Sequence, residues 1–382
     1  MLTGPSVTIM TKNVVILVPN WHGGIDRLFE NINQIELAAE FDFCVTTFNS
    51  HGRSLRGLSV LPFGLVYYSS AIFFTLLLPF RLLKFIFLCL FRKVDLCHIN
   101  LSTGASTLRK FLFARICRFF NVKYVIHLHG GDYRRFFAGL SRSSQKWVRS
   151  LYGDASRVIV LGQLWRSYVI DELGVSPDKV VVLPNSVAAP ADVNRDDKAD
   201  PPRILFLGRL TESKGIVELI DALSDDRVTA LAWTAILAGD GEVARCRALI
   251  DTLGLSERVN LPGWVSSAAV EDALRKSSIF VLPSHYENLP LSMLEAMANS
   301  LCCIVTPVGS VEDVINNNVN GIVVPVQDAT SLADALVSVL EDEEYRSRMG
   351  DKARSDFLAH YDYKDYRFKL ERIYRSVLST GD

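Results

Sequence analysis

Both disulfide-type and metal-type cysteine spacing are missing from this chain. Its seven cysteines, Cys44, Cys89, Cys97, Cys117, Cys246, Cys302 and Cys303, include no Cys-x-x-Cys pair. An odd, scattered set excludes a disulfide framework and a zinc knuckle, and reads as reduced thiols in a cytosolic protein. The N-terminus has no basic segment followed by a long apolar one, so no secretory signal is expected. No fixed-period repeat and no low-complexity tract is present, which excludes solenoids and disordered tails. There is no Asp-x-Asp pair suited to Mg²⁺, and the expectation is no metal and no cofactor. Lys and Arg number 41 against 42 Asp and Glu, a net charge of −1, which gives no case for a nucleic-acid partner.

What is present is enough chain for two full cores. At 382 residues, 49% hydrophobic and 22% charged, the composition is globular. The charge is unevenly spread. Through Val187 there are 21 basic and 11 acidic residues; beyond it there are 20 and 31. From Arg81 to Arg166 the count is 16 basic to 3 acidic. An anionic surface or substrate is therefore expected to face the first half.

Short apolar strands alternate with helical patterns. Strands are predicted at 13–18, 43–48, 95–100, 123–128, 157–161, 179–183, 203–207, 233–238, 259–261, 279–282, 302–305 and 322–324. Most are continuous apolar runs, as in parallel strands buried on both faces. Helices are predicted between them, at 24–40, 213–223, 242–253, 267–276 and 331–340. The fold class is α/β, with doubly wound domains. The proline-rich, charged stretch 184–202 reads as a linker. It places one domain at 1–187 and the other at 188–360, with an aromatic tail helix at 361–382.

Residues 57–80 carry no charge for 24 positions, long enough to span a bilayer. Pro62, Gly64 and Pro79 interrupt the run, and a single crossing would part the first strand from the rest of its sheet. No crossing is expected. Beyond it, Arg81, Lys84 and Arg92 fall within about 80° of arc on a helical wheel, with apolar residues over most of the rest. That pattern fits either a helix lying on an anionic leaflet or a core helix.

The densest chemistry lies at Ser284-His285-Tyr286-Glu287-Asn288-Leu289-Pro290, after strand 279–282. Glu287 is expected on a strand-to-helix loop and Glu295 inside the helix, with Pro290 in its first turn. A helix N-terminus holds anions, so phosphates and hydroxyls, as in a nucleotide-sugar, suit this pair. Arg209 and Lys214 follow strand 203–207, where two cations can neutralise a diphosphate. Gly239-Asp240-Gly241 opens a G-x-G-x-x-A string. It sits in the second domain with no qualifying acid downstream, so a tight turn lining the nucleotide is preferred to a nicotinamide site. Gly23-Gly24 and His129-Gly130-Gly131 each follow a strand in the first half.

Together these residues resemble the retaining glycosyltransferases of family 4, of GT-B fold and of the bacterial glycan-assembly type. The resemblance rests on Gly23-Gly24, His129-Gly130-Gly131, Pro184-Asn185-Ser186-Val187, Gly208-Arg209, Lys214-Gly215, Gly239-Asp240-Gly241, Pro262-Gly263-Trp264-Val265 and the Glu287/Glu295 pair. Ser186 departs from it, standing where that family usually has glycine. The resemblance implies two Rossmann-like domains with a cleft between them, and a last helix that returns to the first. It implies that Arg209 and Lys214 hold the diphosphate and that Glu287 meets sugar hydroxyls. Asn288 and Leu289 would offer N–H groups, and Glu295 would take the ribose. Gly23, Gly24, Gly208 and Gly239 would line the donor, Val265 the base, and His129 the reacting sugar. The expected activity is metal-independent hexosyl transfer from GDP-mannose or a UDP-hexose. The expected acceptor is a glycan, polyprenyl-diphosphate-linked, at the inner face of the cytoplasmic membrane. A sugar-nucleotide epimerase of the same fold and a non-catalytic partner subunit are the alternatives.

Overall fold

The computed structural model describes residues 12–18, 43–49, 63–193 and 198–379. Gly23, Gly24 and the helix expected at 24–40 lie outside the described residues. The chain divides into two units. The first takes in the described residues to Val160, Arg166–Leu183 and those from Arg367; the second takes in Leu161–Trp165 and Pro184–Tyr366.

The first unit contains β1 (Lys12–Val18), β2 (Phe43–Asn49), α1 (Phe63–Leu90), β3 (Leu96–Leu101), α2 (Ala105–Phe119) and β4 (Lys123–Leu128). There follow α3 (Tyr133–Ala138), α4 (Arg142–Gly153), β5 (Arg157–Val160), α5 (Gln163–Asp171, whose first residues count with the second unit) and β6 (Val180–Val182). Its sheet is parallel in the order β2-β1-β3-β4-β5-β6. All six residues of β3 are buried, as a strand covered on both faces requires. Its alternation sends Cys97 toward Cys117 of α2 and His98 to the opposite face.

The second unit contains β7 (Arg203–Leu207), α6 (Ile216–Ser224), β8 (Thr234–Ala238), α7 (Val243–Thr252), β9 (Val259–Gly263), α8 (Ser267–Lys276) and β10 (Ile279–Leu282). It continues through α9 (Leu291–Ala298), β11 (Cys302–Val305), β12 (Ile322–Val323), α10 (Ala329–Glu341) and α11 (Glu343–His360). The parallel order is β12-β11-β10-β7-β8-β9. The last helix, α12 (Tyr363–Ser379), joins the first unit from Arg367 on. There the Tyr374 hydroxyl lies 2.7 Å from His98 Nδ1, and Lys123 Nζ donates to the Val377 carbonyl at 2.8 Å.

Three local expectations are corrected. Pro79 does not end the apolar stretch: α1 runs through it from Phe63 to Leu90. Arg81, Lys84 and Arg92 do not form a separate basic face. Lys84 lies in an exposed stripe with Phe80, Leu83 and Phe87, while Phe85 and Cys89 face inward. Arg92 sits past the helix end at φ 50°. Pro290 is the residue before α9 and not in its first turn, with extended backbone at φ −71° and ψ 128°. No helix among the described residues is long and apolar enough to cross a membrane.

Candidate active site

In an open parallel sheet, ligands bind beyond the carboxyl ends of strands at the point where the strand order reverses. In the second unit β8 lies on one side of β7 and β10 on the other, so that point falls between β7 and β10. Gly208 and Arg209 leave β7 there, and the loop 284–290 leaves β10 there.

Lys214 and Glu287 meet at this point. The Lys214 ammonium donates to Glu287 Oε1, which also accepts from Ser284 Oγ at 3.0 Å. Both side chains are largely covered, at 26% and 11% exposure. The approach depends on Gly215, at φ +67°, where a Cβ would stand 2.0 Å from the Pro283 carbonyl oxygen. Only glycine lets the loop after β7 close on the end of β10.

Arg209 is more open. Its Nε lies 3.5 Å from Asp240 Oδ1, with side-chain exposures of 60% and 53%. A pair this exposed contributes about 0–1 kcal/mol, so Arg209 stays mobile enough to turn to a ligand. Gly239 packs where a Cβ would come within 1.6 Å of the Gly208 carbonyl. Leu210 N–H donates to the Asp240 carbonyl at 2.7 Å, and Gly208 N–H to Ala238 at 3.1 Å. The glycines of Gly239-Asp240-Gly241 thus serve a tight contact between two loops.

The loop 284–290 is held from several sides. Thr306 Oγ1 donates to the Ser284 carbonyl at 2.6 Å, and Ser310 N–H to the Asn288 carbonyl at 2.6 Å. Asn185 Nδ2 donates to the Leu289 carbonyl at 2.7 Å. His285 N–H donates to the Ser213 carbonyl at 3.0 Å, and its Nε2 lies 2.8 Å from Glu218 Oε1. Asn288 and Leu289 are buried. The Leu289 N–H makes no hydrogen bond among the described residues. It precedes α9, whose first amides are unpaired by helix geometry. Two cations, a spare amide and a helix N-terminus are chemistry that can hold an anion, with Asp240 and Glu287 as the cations' present partners.

Sequence reasoning passed over Glu218 and the role of Asn185. The available signal for Glu218, four residues after Lys214, points to an i,i+4 ion pair with that lysine. The structure pairs it with His285 instead.

Val265 follows β9 and is partly buried, and Glu295 is half-buried in the second turn of α9. His129 lies in the first unit at the end of β4. Its ring is 4.0 Å from that of His127, and Nε2 is 3.0 Å from Asn100 Oδ1. Burial pushes its pKa down to about 3, so at neutral pH it is a neutral hydrogen-bonding group. Among the described residues no cluster of three or more His, Cys, Asp or Glu is grouped to hold a metal ion.

Residues 36–186 match the family described as glycosyl transferase 4-like domain, and residues 191–356 match glycosyl transferases group 1. Its two domains are those of a glycosyltransferase. This glycosyltransferase is 26% identical to the alpha-D-kanosaminyltransferase of Streptomyces kanamyceticus over 72% of the chain and 75% of the relative. It is 28% identical to the UDP-Gal:alpha-D-GlcNAc-diphosphoundecaprenol alpha-1,3-galactosyltransferase of Escherichia coli, over 66% of the chain and 67% of the relative. Among solved structures it resembles Anabaena HepE in complex with UDP-glucose, at TM-score 0.72 and 17% identity, covering 95% of this chain and 99% of the other. The architecture is GT-B: two parallel-sheet, Rossmann-like domains.

Proposed function

We propose that this glycosyltransferase moves a hexose, with retention, from a UDP-hexose or GDP-mannose to a polyprenyl-diphosphate-linked glycan in cell-surface polysaccharide assembly. The observation that carries the reading is the Lys214–Glu287 pair at the strand-order reversal, with Arg209 beside it and the Leu289 amide unpaired. The E. coli relative's name, with its UDP-Gal donor and diphosphoundecaprenol acceptor, supports the acceptor class. A membrane-held acceptor goes with a peripheral site of action on the inner leaflet.

In this reading the bond between the sugar C1 and the β-phosphate oxygen breaks, and the acceptor oxygen bonds C1 from the same face. The acceptor's proton passes to the departing phosphate. Negative charge grows on that phosphate, which Arg209, Lys214 and the Leu289 amide would meet. Donors set in advance where charge develops are worth most to the rate. Glu287 holds Lys214 and meets sugar hydroxyls, Glu295 takes the ribose, and Val265 lies by the base. Gly23 and Gly24 enter this reading from the resemblance alone, and His129 enters it as a neutral hydrogen-bonding group. No metal is required.

The test is thermal stabilisation by UDP, GDP, ADP and CDP. A nucleotide at 100 times its Kd adds about 2.7 kcal/mol. One nucleotide should raise the melting temperature of wild type and fail with Glu295→Ala; no response to any of the four overturns the donor site. Proton NMR of the product should then show an α linkage. A released isomer of the donor sugar, with no transfer, would instead favour an epimerase.

A further inference from the structure

We propose that Asp313 is a positioning residue for the donor site, acting through Gly309 and Ser310 on the amides of Asn288 and Leu289. This deepens the phosphate-binding reading above, on which its purpose rests, but it stands on different residues. A trans peptide is planar, so its C=O and N–H point in opposite directions. The carbonyl oxygens of Glu287 and Asn288 both crowd Gly309: a Cβ there would overlap the two of them and stand 2.9 Å from Asn288 Cα. The next donor along, Ser310 N–H, bonds the Asn288 carbonyl at 2.6 Å. With both carbonyls turned toward Gly309 and Ser310, the N–H groups of Asn288 and Leu289 must point to the other side. Two successive amides aimed one way are the unit of an anion-holding nest. Gly309 lies at φ +60°, so positive φ and the lack of a side chain are required at one position.

The loop after β10 thus takes its N–H direction from the segment after β11, and that segment is one tight body. Val311 N–H donates to the Val308 carbonyl at 3.2 Å, and the N–H groups of Val314 and Ile315 reach the carbonyl of Val311 at 3.0 and 2.8 Å. Val311, Val314 and Ile315 are all buried. A shift of Asp313 is therefore carried to Ser310. Asp313 is fixed in turn at the start of α5, where its Oδ2 accepts from Gln163 N–H at 2.7 Å. Gly162 is the seat for both residues: a Cβ there would overlap Asp313 Oδ2 and Ser310 Oγ and stand 2.6 Å from Ser310 Cβ. Ser310 Oγ has no hydrogen-bond partner among the described residues, so the backbone N–H of Ser310 does the holding and its hydroxyl does not.

The contacts form a single line from the Gln163 amide through the Asp313 carboxylate and the Ser310 amide to the Asn288 carbonyl, and so to the Leu289 N–H. Asp313 is asked for no contact with donor. Its part is to fix the direction of two amides before a ligand arrives, and donors fixed in advance give up no energy to reorganisation when charge reaches them.

The experiment is NMR of the full chain labelled with ¹³C at Asn carbonyls and ¹⁵N at Leu. Only three Asn-Leu pairs occur, ending at Leu101, Leu261 and Leu289, so three amide cross-peaks are selected. The Leu289 peak is the one lost in Leu289→Met. In the ligand-free protein Asp313→Ala should move the Leu289 peak and leave that of Leu101 in place. Asp313→Asn, which keeps an acceptor for Gln163 N–H, should return it to the wild-type position. Gly162→Ala, at a position outside the left-handed region, should move it as well by crowding Ser310. UDP and GDP are then added to each protein. One of them should shift the Leu289 peak of wild type. Affinity for that nucleotide should fall about tenfold in Asp313→Ala and stay within about twofold of wild type in Asp313→Asn and Ser310→Ala. A Leu289 peak unmoved by Asp313→Ala overturns the proposal. So does wild-type nucleotide affinity in that variant, whatever its melting temperature, or an affinity that Asp313→Asn does not restore. If neither nucleotide shifts any peak of wild type, the donor reading falls by itself, and the ligand-free comparison still decides whether Asp313 sets the amides.

Discussion

His285 Nε2 stands 2.8 Å from Glu218 Oε1, joining the loop after β10 to the helix after β7. Both side chains are covered, at 9% and 16% exposure. With His285 N–H on the Ser213 carbonyl, this contact sets where Glu287 meets Lys214.

Glu218→Ala should therefore act on the candidate site through His285. A lost hydrogen bond to a charged group costs about 1.5–3 kcal/mol, and that is the expected fall in stability. Nucleotide affinity should weaken as well. Glu218→Gln, which can still accept from His285, should restore both. Thermal melts and calorimetric titration with UDP or GDP check this.

Arg209→Ala and Lys214→Ala should separate stability from turnover. Arg209 is exposed, so its removal should change stability by no more than about 0.5 kcal/mol. Its loss should still lower kcat by about 10²–10³-fold if it neutralises the departing phosphate. Lys214→Ala should do the same to kcat and also destabilise, because the covered Glu287 then loses its cation and keeps only the Ser284 hydroxyl. Single-turnover rates beside urea unfolding distinguish the two.

Gly215→Ala should be severe although it adds one methyl group. The position has φ +67°, and the new Cβ would stand 2.0 Å from the Pro283 carbonyl oxygen. A non-glycine residue in such backbone costs about 1–3 kcal/mol before the clash is relieved. A drop of more than about 2 kcal/mol in urea unfolding is expected, with loss of nucleotide response.

Acid should weaken the first unit through its histidines. The rings of His98 and His127 are 5.3 Å apart, and those of His127 and His129 are 4.0 Å apart. Burial pushes His98 and His129 down to about 3 and His127 well below its usual 6.5. Neither nitrogen of His127 has a hydrogen-bond partner among the described residues. The unfolded chain takes up these protons below pH 6.5, while the folded chain resists until about pH 3. Their contribution is thus complete above pH 6.5 and is lost as pH falls toward 3, by up to about 1.4 kcal/mol per pH unit for each ring. Melting temperature followed from pH 8 to 4.5 should fall on the acid side. His127→Phe should flatten that fall.

All twelve expected strands appear within two residues of their expected limits. The reason is physical. A parallel strand covered on both faces must be a continuous apolar run, and such runs end visibly at Gly, Pro or Asn. The helix 267–276 was equally plain, bounded by Ser266 as a cap and two basic residues in its last turn. Pro79 misled because a proline within a helix lowers its stability without always breaking it. The wheel for 81–92 misled because it located the cations but not the side that the sheet covers.

At the site, residue types at strand ends made Arg209, Lys214 and Glu287 candidates, since ligand contacts in such sheets come from those loops, and Glu295 became one from its place in the helix that follows. Pairing was another matter. That Lys214 takes Glu287 and leaves Glu218 to His285 depends on the close approach at Gly215. So does the hold of Asn185 on Leu289, across residues far apart in sequence, depend on packing. Apolar pattern and strand-end chemistry are local, so the chain's order of residues sets the two sheets and the candidate charges. Which charge meets which, and which face of α1 and α2 is left outward, are settled only when distant segments pack. Those outcomes turn on distances that no sequence spacing contains.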